Sequence, residues 1–255
     1  MSPVGSIHRR TVDRLGSEIV AGFHAPGTSL PPEPVLCEML GVSRTVVREA
    51  VKSLIAKGLV TSGPKVGTRV QPEDRWNWFD ADVIGWQTSA GLPAQFLEDL
   101  HDLRRAVEPA AVRLAALRAT PDDLAELESA FDGMRRAVAE GGDYVTPDLR
   151  FHLGLIRSSH NRLLSQMSLA LGALLRTSFE ISARRRGGPA SALLLHREVL
   201  DGVAARDPAR AETAIQTLID GAGRDIQTVL ASHGRPPRID RSGTLLRPSR
   251  KSDSS

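Results

Sequence analysis

The stretch from Ser29 to Val60, SLPPEPVLCEMLGVSRTVVREAVKSLIAKGLV, constrains the fold of this chain more tightly than any other. Two short helical patterns flank the turn Leu40-Gly41-Val42-Ser43. The first runs over 33–40, with Leu36, Met39 and Leu40 spaced to face one way. The second opens at Ser43, whose hydroxyl can accept a hydrogen bond from a free amide of the first helical turn. On it Val47, Val51, Leu54 and Ile55 follow the i, i+4, i+7, i+8 spacing of a buried face. Thr45, Arg48 and Lys52 fall on the opposite side, with Arg44 at its edge. A helix apolar on one face and cationic on the other, behind a glycine turn, meets the requirements of a helix-turn-helix. Its free N-terminal amides and its Arg side chains suit phosphates and base edges in a major groove. An ordinary helical hairpin with a solvated basic face satisfies the same window.

The residues that follow favour the DNA-binding reading. Gly58-Leu59-Val60 ends the second helix, and Gly63-Pro64-Lys65-Val66-Gly67-Thr68-Arg69-Val70 reads as a two-stranded wing carrying Lys65 and Arg69. Together with Leu30-Pro31, Leu40-Gly41-Val42-Ser43-Arg44, Val47-Arg48-Glu49-Ala50 and Leu54, these residues resemble the GntR family of bacterial transcription regulators. The resemblance implies an N-terminal winged helix-turn-helix, with DNA contacts from Arg44, Thr45, Arg48, Lys65 and Gly67. Two departures bear on which operator is read: Pro34 stands where the family often has a DNA-holding Arg, and Lys65 where it has a wing Gly.

A chain of 255 residues is long enough for two domains, each with its own core. Alanine, leucine and arginine dominate and long β-branched alternating runs are absent, so the expected class is mainly α. No apolar run approaches a membrane span and the N-terminus lacks a signal-peptide core, which points to the cytoplasm. The single cysteine, Cys37, reads as a reduced structural thiol. Residues 1–75 carry 10 Lys/Arg against 7 Asp/Glu, whereas residues 76–231 carry 17 against 21. That asymmetry suits a nucleic-acid-binding arm joined to a domain with another task.

The expected organisation is a winged helix-turn-helix over 1–74, a linker helix over 75–92, a helical domain over 93–231 and a disordered basic tail over 232–255. A first helix over 8–23 turns Val12, Leu15, Ile19, Val20 and Phe23 inward. All three tryptophans, Trp76, Trp78 and Trp86, lie in the linker beside Asp74, Asp80 and Asp82, a setting that favours packing over base stacking. Beyond Pro93, turn signals divide the chain into six helices at 93–118, 121–140, 146–159, 161–184, 189–205 and 207–231, a six- to seven-helix bundle.

Polar residues on the apolar faces of those helices are the informative exceptions. The first carries an inward stripe of Leu100, Leu103, Val107, Ala111 and Leu114, with Arg104 near its centre. A guanidinium facing a core needs a partner, either a neighbouring carboxylate of the chain or one on a ligand. Asp148 and His152, four apart, share a helix face, and His196 sits among Leu193, Val199 and Leu200. Three such groups suit a divalent metal, though inward histidines also serve as satisfied core residues.

The whole region also resembles the helical effector-binding (FCD) domain of the FadR branch of the GntR family, and within it the galactonate-repressor subgroup. The resemblance implies that Arg104 holds the carboxylate of a small organic acid, such as an aldonate. It also implies that Asp148, His152 and His196 bind a divalent Zn, Ni or Mn, or contact the effector themselves. The branch has a further His where this chain has Leu218 or a near neighbour, which leaves coordination positions open. Two winged domains on the half-sites of a palindromic operator imply a homodimer. The expected function is a ligand-responsive regulator of double-stranded operator DNA, most simply a repressor, with no membrane association. The alternative is a metal-dependent hydrolase or lyase on the same cluster, but no nucleophile motif, phosphate-binding loop or adjacent general base accompanies it.

Overall fold

The computed structural model describes residues 3–64 and 66–232, and divides the chain into two compact units that meet at Leu92 and Pro93. In the first unit lie α1 (Pro3–Val20), α2 (Glu33–Leu40), α3 (Arg44–Ala56), β1 (Val60–Gly63), β2 (Gly67–Val70) and α4 (Ala81–Ala90), with a 3-10 turn at Glu73–Arg75. Gly41 between α2 and α3 takes a left-handed φ of 65°, a conformation open to glycine at little cost. Ser43 caps α3 by accepting from the Val46 amide at 3.4 Å. The wing strands pair antiparallel from Val60↔Val70 to Gly63↔Gly67. Ser29 adds a bridge to Arg69, so the segment before α2 lies alongside the wing.

The core face of α3 is Val47, Ala50, Val51 and Leu54. Ile55, expected inside, is 41% exposed, because it stands about 80° round the helix from Val47, at the edge of the buried arc. Met39 is likewise exposed on α2. Helix α1 stops at Val20 rather than running to Phe23: Gly22 adopts a φ of 82°, and the Phe23 ring is exposed.

Helix α4 and the aromatic stretch before it belong to this first unit. Trp76, Val83 and Trp86 enter its core with Val12, Leu15 and Ile19 of α1. The Trp86 ring lies so close to Gly16 that a Cβ there would fall 2.4 Å from it. The ammonium of Lys57, just after α3, donates to Asp80 at 2.8 Å and pairs with Asp82 at 2.7 Å, while Arg9 of α1 pairs with Asp82 at 2.5 Å. The expected linker helix is thus fastened by packing and charge to α1 and to the end of α3.

The second unit is all α among the described residues: α5 (Ala94–Arg118), α6 (Pro121–Glu140), α7 (Val145–Ser158), α8 (Arg162–Ser182), α9 (Gly188–Ala204) and α10 (Pro208–Ser232). These boundaries follow the sequence punctuation: Thr120 and Asp123 form a reciprocal capping box at the start of α6, and Asn161 caps α8. The apolar core of the bundle includes Val112, Phe131, Met134, Phe151, Leu200 and Ile215. Polar side chains from α5, α7 and α9 are buried beside it. The tail expected over 232–255 lies outside the described residues from 233 onward.

Candidate functional site

Two groups of side chains stand out. On α3, Arg44, Thr45 and Arg48 are exposed on the side opposite the core. Arg48 reaches Glu33 at the start of α2 with both carboxylate oxygens 3.0 Å from its Nε, a solvent-exposed pair that a phosphate or base edge can replace. Gly67 opens β2 at a φ of 73°, where a side chain would be strained, and Arg69 is exposed on that strand. Lys65, the expected wing contact, lies outside the described residues.

The second group is buried. Arg104, Glu108, Asp148, His152 and His196 are each less than a tenth exposed. Arg104 and Glu108 are one turn apart on α5, with Nε to Oε1 at 2.6 Å. The other oxygen of Glu108 meets Nδ1 of His152 at 2.5 Å. Nε2 of His152 lies 3.4 Å from Oδ1 of Asp148, and the same Oδ1 is 2.9 Å from Nε2 of His196. Nδ1 of His196 closes the run at 2.8 Å from the Ala192 carbonyl. Isolated charges buried this deeply are strongly disfavoured, so the alternation of cation and anion is what makes the arrangement tenable.

This run assigns the ring nitrogens. Nδ1 of His196 must donate, since a carbonyl only accepts, so Nε2 either carries a proton and donates to Asp148 or, in the neutral ring, offers a lone pair to a metal instead. Glu108 plays the corresponding part at Nδ1 of His152, as carboxylates do behind metal-bound imidazoles. One ligand atom each of Asp148, His152 and His196 lies within 4.8 Å of the others, a borderline donor set that suits a divalent transition metal. As the groups stand, burial opposes the charge on Glu108, but Arg104 and His152 outweigh it and hold the carboxyl down to about 2. Burial likewise works against a charged His152, and Glu108 and Asp148 overcome it, raising the imidazole to about 9. Asp148 is held well below the usual carboxylate range by the two histidines, against the cost of its burial.

The cluster forms one wall of a cavity of about 470 Å³, which Phe179, Leu218 and Tyr144 also line. That is within the usual range for a small-molecule site. Arg104 lines it too, its guanidinium 4.8 Å from the centre of the Phe179 ring, with one Nη 3.5 Å from the Ser178 hydroxyl. The internal partner weighed for this arginine is therefore real, yet a guanidinium has five N–H donors and these contacts engage two. Leu218 presents an apolar side chain to the cavity beside the three donors. Expected site residues Arg104, Asp148, His152 and His196 thus come together. Sequence reasoning missed Glu108, although its place one turn beyond Arg104 was a usable signal, and it missed Tyr144, one turn before Asp148.

Comparisons with known proteins agree on both units. Residues 7–70 match the gntR family of bacterial regulatory proteins, and residues 99–221 match the FCD domain. The galactonate operon transcriptional repressor of Escherichia coli K12 is 34% identical over 221 residues, covering 86% of this chain and 96% of that protein. An uncharacterized HTH-type transcriptional regulator of the same organism, YieP, is 32% identical over 81% of this chain and 90% of its own length. A solved structure described as Lar, which controls expression of the Listeria monocytogenes agr system, covers 89% of this chain and 98% of its own at a TM-score of 0.59 and 18% identity, a likeness of fold alone. Among the described residues no helix is long and apolar enough to cross a membrane. The chain belongs to the gntR family of bacterial regulatory proteins and is a DNA-binding transcription regulator, not an enzyme, with a C-terminal FCD domain.

Proposed function

We propose that this regulator is a homodimeric repressor released from its operator by a sugar acid, an aldonate such as galactonate. The observation that carries the reading is the convergence of Asp148, His152 and His196 on the wall of a cavity that Arg104 also lines. In this reading Arg44, Thr45, Arg48 and the wing residues Lys65 and Gly67 contact operator DNA. Asp148, His152 and His196 hold a divalent ion of the Zn, Ni or Mn type, and Arg104 takes the effector carboxylate.

The donor set fits such an ion because each imidazole is anchored at Nδ1 and turns Nε2 toward the aspartate. When bound, the ion supplies a Lewis-acidic centre for the acid and hydroxyl oxygens of the effector. Charge supports the assignment. With His152 neutral, Arg104 and a divalent ion outweigh Asp148 and Glu108 by one positive charge, which favours an anionic ligand. Leu218 in place of a further donor leaves room for that ligand's oxygens. The name of the galactonate operon repressor, at 34% identity, supports an aldonate over other acids. Repression is relieved if the acid binds more tightly to an arrangement of the two units that does not match the operator half-sites, since a ligand shifts only an equilibrium in which it discriminates.

A thermal-shift screen of the full chain against sugar acids and simple carboxylates, with Zn²⁺ or Mn²⁺ and again with chelator, tests the reading. A ligand at a hundred times its Kd stabilises the folded state by about 2.7 kcal/mol. An aldonate is expected to raise the melting temperature with metal and not with chelator. Arg104→Lys, which keeps the charge opposite Glu108 but loses the planar fork, is expected to weaken that response. No shift from any acid contradicts the effector class.

A further inference from the structure

The single tyrosine of the chain carries a second kind of information. Tyr144 stands at the N-cap of α7, and Tyr144, Asp148 and His152 are spaced four apart, so all three share the helix face that lines the cavity. The ring packs into the apolar core of the bundle, which fixes its direction. Its hydroxyl oxygen is buried, with no hydrogen-bond partner among the described residues. A buried hydroxyl left unpaired costs about 1–3 kcal/mol. Phenylalanine in the same space would avoid that cost. An unmatched hydroxyl on a residue that lines a ligand cavity is accounted for if the ligand supplies its partner.

We propose that Tyr144 is a specificity-determining residue that donates a hydrogen bond to a neutral hydroxyl oxygen of the bound acid, and so selects polyhydroxylated acids over plain carboxylates. The inference rests on the sugar-acid reading above. Two features assign it the hydroxyl rather than the carboxylate. Arg104, with the divalent ion of the reading above, supplies the positive charge that a carboxylate needs. Near Tyr144 the negative charge of Asp148 disfavours a second anion. Burial, and then the charge of Asp148, raise the phenol well above its ordinary range, so it keeps its proton and acts as a donor at neutral pH.

Because the chain has one tyrosine, biosynthetic 3-fluorotyrosine places a single ¹⁹F label at this position in the full-length protein. The Zn²⁺-loaded protein is titrated with galactonate, gluconate and hexanoate, and affinities are measured in parallel for wild type and Tyr144→Phe. The ¹⁹F resonance is expected to shift with the hexonates. Tyr144→Phe is expected to melt no lower than wild type, to keep its Zn²⁺ affinity, and to lose about tenfold in its preference for hexonate over hexanoate. An unchanged preference in Tyr144→Phe overturns the inference while leaving the sugar-acid reading intact. So does a ¹⁹F signal that stays in place at saturating hexonate, a result that does not depend on the variant's folding. Equal weakening of hexonate and hexanoate places the carboxylate at Tyr144 and overturns the assignment to a hydroxyl. If wild type binds none of the acids, the sugar-acid reading falls and the inference falls with it.

Discussion

On α3 the functional side chains stand in water and touch little, whereas around α7 they are buried and touch one another. Arg48 has one exposed partner, Glu33. His152 is enclosed between Glu108 and Asp148, and Asp148 is shared with His196. Under the proposed function, the difference follows from what each region has to recognise. A phosphate backbone is met by long cations that keep their hydration until contact, so its recognition costs the free protein almost nothing. A small acid held inside a bundle must be met by groups already dehydrated and oriented, and these have to be paired with one another while they wait. The first region therefore separates stability from function and the second fuses them.

That contrast predicts its largest effect at Glu108. Replacing it with Ala leaves Arg104 and His152 buried without their shared carboxylate, and loss of one partner from such a network costs about 3–5 kcal/mol. The three tryptophans all lie in the first unit, so urea unfolding followed by tryptophan fluorescence reports that unit, and far-UV circular dichroism reports both. Glu108→Ala is expected to move part of the circular dichroism change to lower urea and leave the tryptophan transition in place. A tryptophan transition that moves with it would contradict independent stability of the two units.

Gly16→Leu is the converse. A side chain there meets the Trp86 ring at 2.4 Å from its first carbon, and overpacking of this kind costs about 1–3 kcal/mol. The tryptophan transition should move to lower urea, and operator affinity should fall although neither residue is among the proposed DNA contacts. Arg44→Ala sharpens the comparison from the other side. Operator affinity is expected to drop by about ten- to a hundredfold in an anisotropy titration, with the melting temperature unchanged. A large loss of stability in Arg44→Ala would break the proposed separation on α3.

A further predicted effect is in pH. His152 is raised from its ordinary value to about 9, so it contributes stability that is fully present below about pH 6.5 and is lost as pH rises through about 9. With chelator, the melting temperature of the second unit should fall across that window. With Zn²⁺ the fall should shrink, because metal binding requires the neutral imidazole and strengthens as the proton leaves. Glu108 acts at the opposite end: its contribution is present above its ordinary range and lost as pH falls toward about 2.

The sequence was most legible where geometry is local. The punctuation at Thr120-Pro121, Asn161 and Asp207-Pro208 marks helix ends closely because a cap or a proline acts on the backbone beside it. The inward turn of Arg104, Asp148, His152 and His196 was readable from helical period. Their pairing was not, since it depends on how α5, α7 and α9 pack, and Glu108 stayed hidden for that reason. Ile55 and Phe23 failed in a different way. Both continue an apolar period, but one stands past the edge of the buried arc and the other follows a glycine turn that ends its helix. The unmatched Tyr144 hydroxyl has no sequence signature, because an unpaired atom becomes visible only when its surroundings are in place.

The central claim is that the buried cluster around Asp148 controls the exposed face of α3, and operator release tests it most directly. Full-length protein with Zn²⁺ is titrated onto a duplex selected from a random pool, with and without galactonate, for wild type and Asp148→Asn. Galactonate is expected to weaken DNA binding by wild type at least tenfold and to leave Asp148→Asn bound, with equal affinities in the absence of acid. Unchanged wild-type affinity in the presence of a hexonate that raises its melting temperature would contradict the account. So would release of Asp148→Asn at the same acid concentration as wild type.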